Sequence, residues 1–201
     1  LPHIDDDTPG NNDMRRIIVG ISGASGAVCG IRLLETLKAT EGVESRLVMS
    51  PSAERTIVEE TGYRPDQVRA IADVVHAHDD IGAAVASGSF RTSGMVVAPC
   101  SIKTLSGIAN SYNDNLLVRA ADVCLKERRP LVLMVREAPL HLGHLELMTR
   151  AARYGATILP PAPAFYARPQ TIDDIVDHWV GKALDLLDVP HSLMKRWRDE
   201  G

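Results

Sequence analysis

The stretch Ile17–Leu37, Ile-Ile-Val-Gly-Ile-Ser-Gly-Ala-Ser-Gly-Ala-Val-Cys-Gly-Ile-Arg-Leu-Leu-Glu-Thr-Leu, constrains this chain more than any other. Its first five residues run without a polar break, as in a strand buried on both faces of a parallel sheet. Ser22, Gly23, Ala24, Ser25 and Gly26 follow as a loop with almost no side-chain bulk. Backbone can approach a ligand there, and N–H groups at the start of the next helix can face an anion. From Ala27 the period becomes helical, with Ile31, Leu34 and Leu37 on one face and Gly30 allowing close packing on the sheet. The glycines at 20, 23, 26 and 30 match neither the dinucleotide fingerprint nor a Walker loop; a monophosphate flavin fits this loop better.

A chain of 201 residues suffices for one α/β domain with a single core, expected over residues 14–201. Leu1–Asp13 is acidic and turn-forming, and reads as a disordered arm or cloning remnant. The net charge of −4, without a basic stripe, argues against nucleic acid. Cys29, Cys100 and Cys124 are widely spaced and form no Cys-x-x-Cys, which points away from a disulfide framework or a cysteine zinc site and towards a reducing cytoplasm. No apolar run is long enough to span a bilayer.

Further strands are predicted at 44–49, weakly at 73–76, and at 95–98, 131–135 and 156–159, with Pro99 expected to end the third clear one. Ser50 and Ser101 stand at strand C-terminal ends, where open parallel sheets bind ligands, and Ser101 can cap a helix beginning near Lys103. The Ser87–Ser93 segment reads as a mobile loop beside a ligand, with a plain surface connection almost as good a reading. Arg119, Asp122 and Lys126 form one row on a helix, so Asp122 either holds two cations towards a phosphate or belongs to a solvated stripe. Arg136 and Glu137 follow a buried strand, where charges are costly unless paired or used. His76 and His78, or His141 and His144 with Glu137, could be drawn as metal sites, but ordinary packing is the better reading. Thr171 caps a long helix whose apolar side is read as Ile172, Ile175, Val176, Trp179, Ala183 and Leu187.

Six motifs in this order, Gly23-Ala-Ser-Gly26, Ser87-Gly-Ser89, Pro99-Cys-Ser101, Arg119-Ala-Ala-Asp122 with Leu125-Lys-Glu-Arg-Arg-Pro130, Arg136-Glu-Ala-Pro139 and Pro163-Ala-Phe-Tyr166, resemble the UbiX-type flavin prenyltransferases, long described as phenolic-acid or polyprenyl-hydroxybenzoate decarboxylases. The resemblance covers Arg15 to about Trp197. It implies a Rossmann-like, flavodoxin-like three-layer sandwich assembling as a dodecamer, with FMN between subunits. The implied reaction joins a dimethylallyl group from dimethylallyl phosphate to N5 and C6 of reduced FMN without a metal. Prenylated FMN then passes to a separate decarboxylase.

By the same resemblance, Gly23, Ala24, Ser25, Ser50, Ser87, Ser101, Ile102, Lys103, Thr104 and Arg136 hold or border FMN. Arg119 and Lys126 stabilise the leaving phosphate, Glu137 serves as acid or base, and Glu60 and Ser25 stand with the catalytic set. Tyr166 and Lys182 contact the donor phosphate, and Trp197 provides an aromatic wall for allylic cation character. Two departures are Lys182, where the family usually has Arg, and Val135, where a proline often precedes the Arg-Glu pair. A flavin-dependent cysteine decarboxylase is the rival enzyme reading, weakened by Pro99-Cys-Ser-Ile-Lys-Thr104 in place of that group's motif. An FMN-binding accessory subunit of a decarboxylase is the non-catalytic one.

Overall fold

The computed structural model describes residues 14–197, so the Leu1–Asp13 reading lies outside the described residues. Six parallel strands form one sheet in the order β3-β2-β1-β4-β5-β6: β1 Arg15–Ile21, β2 Val43–Met49, β3 Val74–His76, β4 Gly94–Cys100, β5 Leu131–Val135 and β6 Thr157–Ile158. The fold is the α/β, flavodoxin-like sandwich expected. The apolar runs are explained by burial on both faces: every residue of β4 and β5 is buried.

Helices cover the two faces. On one side α1 (Ala27–Lys38), α2 (Pro51–Glu60), α3 (Pro65–Ile71) and α7 (Ile172–Asp185) share a core with alternate residues of the strands, among them Ile17, Val19 and Ile21. On the other, α4 (Ile102–Ala109), α5 (Leu116–Lys126) and α6 (Leu142–Arg153) pack on Ile18, Met95, Val97 and Leu133. Arg32 of α1 makes two bonds to the Asp177 carboxylate of α7, at 2.6 and 3.2 Å, tying these helices together at their edge.

Two readings need correction. β4 does not stop at Ala98: it continues to Cys100, which pairs with Val135 across a register irregularity. Proline is tolerated there because the ladder is already offset, and the Pro99 carbonyl still accepts the Ser22 N–H at 3.2 Å. Ile172 is 76% exposed and not on the buried stripe of α7, which runs through Val176, Val180, Ala183 and Leu184. The Ser87–Ser93 loop is held by Arg129, whose guanidinium donates to the carbonyls of Gly88 and Phe90 at 2.6 and 2.8 Å.

Candidate active site

The strand order reverses between β1 and β4, and the crevice above their C-terminal ends is the natural ligand position in such a sheet. Ser22 and the Ser101 backbone bind the two lips. The buried Ser22 hydroxyl donates to the Pro99 carbonyl at 2.8 Å and accepts the Ser101 N–H at 2.8 Å. In the sequence Ser22 shows only as part of a small-residue loop; its position at a buried strand's end, like that of Ser50, is the signal for this role. Ser22→Ala is expected to cost about 1–3 kcal/mol, since a buried N–H and a carbonyl each lose a partner, read as a lower denaturant midpoint.

On the α4 side of the crevice lies a cavity of about 810 Å³, lined by Ser50, Ser52, Ser101, Lys103, Thr104 and Asn115 among others. Ser50 caps α2 through Ala53 N–H, and Ser101 caps α4 through Thr104 N–H. Hydroxyls, one ammonium and the start of α4 are the chemistry a phosphate monoester requires. The residues therefore fit the phosphate of FMN. Ile102 packs instead against the hydrophobic core on that face. A second cavity of about 300 Å³, on the α1 side, is lined by Ser25, Gly26, Cys29, Pro99, Met134, Arg136, Pro161 and Trp179. Its Cys29 thiol is pushed up to about 12 by burial, so it is a neutral, apolar wall and not a nucleophile. Burial pushes the Cys100 thiol up as well.

The anion expected at the start of α1 is supplied by the protein itself. Glu60, at the end of α2, accepts the Gly26 N–H at 2.8 Å and the Ala27 N–H at 3.4 Å. A late position gains nothing from the dipole of α2, but here the carboxylate serves the positive end of α1. Gly26 itself, with φ 98°, adopts the left-handed conformation that turns the chain into this helix.

Arg119 and Asp122 bond at 3.1 Å, and Asp122 also accepts from Asn113 at 3.0 Å. It does not hold Lys126, whose ammonium pairs with Glu127 at 2.5 Å. The expected two-cation carboxylate is thus an arginine–asparagine one, because Lys126 ends α5 and turns to its own neighbour. Arg119 also donates to the Ala86 carbonyl at 3.1 Å, so the 86–92 loop is held from two points of α5 and its C-terminal turn. The Ser87 and Ser89 hydroxyls lie 2.9 Å apart.

Arg136 and Glu137 are both exposed, so the desolvation cost anticipated for charges after β5 does not arise. Tyr166, Trp197 and His178 make a separate group. The Tyr166 ring meets Trp197 edge-on at 5.2 Å and His178 at 5.9 Å. Burial and the Lys182 ammonium hold the His178 imidazole below its ordinary pKa. Lys182 lies 3.6 Å from Asp185, a carboxylate that Arg196 and His191 also approach, at 2.8 and 3.0 Å. Neither of the two cavities is lined by Glu60, Ser87, Arg119, Lys126, Glu137, Tyr166, Lys182 or Trp197. His141 is a helix cap, accepting the Gly143 N–H, and its ring stacks on His144 at 3.6 Å.

A family model described as Flavoprotein matches residues 6–184. The chain is 61% identical over 182 residues to the flavin prenyltransferase UbiX of Thauera aromatica, covering 90% of this chain and 93% of the relative. The chain belongs to the UbiX-type flavin prenyltransferase family. Among solved structures, AnUbiX in complex with FMN and dimethylallyl pyrophosphate superposes with a TM-score of 0.90 at 50% identity, covering 93% of this chain and 99% of that one. A dodecameric FMN-dependent UbiX-like decarboxylase from Escherichia coli O157:H7 superposes with a TM-score of 0.89 at 50% identity, over 91% of this chain and 99% of that one. Within this UbiX-type chain, the described residues contain no helix long and apolar enough to cross a membrane.

Proposed function

We propose that the chain transfers a dimethylallyl group from dimethylallyl phosphate to reduced FMN and releases prenylated FMN. The observation that carries this reading is the crevice at the β1–β4 reversal, where hydroxyls and the start of α4 suit a flavin phosphate beside a smaller, mainly apolar cavity reached by Ser25 and Arg136. Reduced FMN supplies the nucleophilic N5 and C6. Ser50, Ser101, Lys103 and Thr104 bind its phosphate, and Arg136 with the Gly23–Ser25 loop orients its ring. Arg119 and Lys126 offset charge on the departing phosphate, and Glu137 delivers or removes a proton at its oxygen. Glu60 keeps the Gly26 turn in place while its carboxylate faces the same loop.

Tyr166, Lys182 and Trp197 lie outside both cavities of one chain, which supports completion of the donor site by a neighbouring subunit in a dodecamer. The product would serve a separate prenylated-FMN-dependent decarboxylase, and the setting would be cytoplasmic. Anaerobic incubation with reduced FMN and dimethylallyl phosphate should yield a flavin heavier by one dimethylallyl unit, read by mass spectrometry. Unmodified flavin with both the monophosphate and the diphosphate, despite FMN binding, would reject the proposal. Lys182→Arg should lower the donor KM several-fold, roughly the gain of a planar fork over a point charge at phosphate. An unchanged donor KM would remove Lys182 from the donor site.

A further inference from the structure

Gly88 is a glycine for lack of space, not for its backbone. It is absent from the positive-φ positions, which are Gly26, Gly42, Gly94 and Gly155 among the glycines. A Cβ at residue 88 would overlap the Glu127 carboxylate and stand 2.6 Å from Lys126 Nζ. The loop is also fixed where it lies. After Lys126 ends α5, Arg128 adopts φ 55°, and the N–H groups of Arg128 and Arg129 bond back to Leu125 and Cys124 at 3.1 and 2.8 Å. This double-bonded C-terminal turn directs Arg129 at the loop. Its guanidinium donates to Gly88 O at 2.6 Å, Phe90 O at 2.8 Å and Thr92 Oγ1 at 3.2 Å.

We propose that Gly88, clamped by Arg129, is a positioning residue for Lys126, setting where its ammonium stands when the donor phosphate binds. Sequence neighbours do not face each other on a regular helix, yet the tips of Lys126 and Glu127 meet at 2.5 Å where α5 ends and Gly88 lies against both. The inference rests on the proposed function, in which Lys126 meets the donor.

The test is Gly88→Ala in the intact enzyme. The atoms met by the new methyl are the ends of two flexible side chains, so the variant should fold with an unchanged melting temperature and bind FMN as before. Displacing the ammonium should raise the donor KM by about tenfold, the scale of one charge-assisted hydrogen bond. Adding Glu127→Ala removes the overlapped carboxylate but leaves the new methyl 2.6 Å from Lys126 Nζ, so the double variant should keep a donor KM above that of Glu127→Ala alone. An unaltered donor KM in Gly88→Ala, or a double variant whose donor KM equals that of Glu127→Ala alone, overturns the inference while wild-type prenyl transfer stands. A wild-type enzyme that prenylates no flavin overturns the proposed function and this inference with it.

Discussion

Glu137→Gln should lower the rate of prenyl transfer by about 10²–10⁴-fold, the range for loss of a general acid or base, with FMN affinity unchanged. The substitution is nearly isosteric. Glu137 is exposed after β5, and its Oε1 accepts the adjacent Ala138 N–H at 3.0 Å, a bond that a glutamine oxygen also makes. Folding therefore does not depend on its charge, whereas proton exchange with a phosphate oxygen does. Single-turnover flavin mass analysis separates this from binding: a rate within about threefold of wild type would assign the proton to another group.

Gly30→Ala should destabilise the fold by about 2 kcal/mol, a fall in melting temperature of roughly 4–8 °C for a chain of this size. Helix propensity alone predicts the opposite sign, since alanine in mid-helix is favoured over glycine by about 1 kcal/mol. Packing wins here because the added Cβ would overlap the Ala98 carbonyl oxygen and meet Ile21 side-chain carbons at 2.8 Å. A β4 carbonyl cannot swing aside as a side-chain tip can, so α1 must lift from the sheet, carrying Gly26 with it. FMN affinity should fall alongside stability, and thermal melting with and without FMN reads both. A raised melting temperature would mean that α1 has slack against β4.

Much of this was legible in the residues. Runs such as Leu131–Val135 suit a doubly buried strand, and Ser101 and Thr171 mark helix starts through side-chain oxygens that do cap the following N–H groups. The partners of charged residues were not legible in the same way. Asp122 shares a helix row with Lys126, but long side chains choose among neighbours from other segments, and Asn113 and Glu127 were nearer. Pro99 lacks a ladder N–H by its covalent structure; whether a strand survives it depends on an offset in the pairing with β5.

By itself, then, the order of apolar runs, caps and small-residue loops determined a parallel α/β sheet with its candidate site residues at strand C-terminal ends, because burial periodicity and capping are local properties of the chain. Only the tertiary structure decided that Glu60 fills the start of α1, that Ser22 joins the two lips of the crevice, and that Gly88 rests on Lys126. Those contacts join residues 34, 79 and 38 positions apart. Their energies depend on distances of a few tenths of an ångström, which packing of the whole sheet sets and no local pattern encodes.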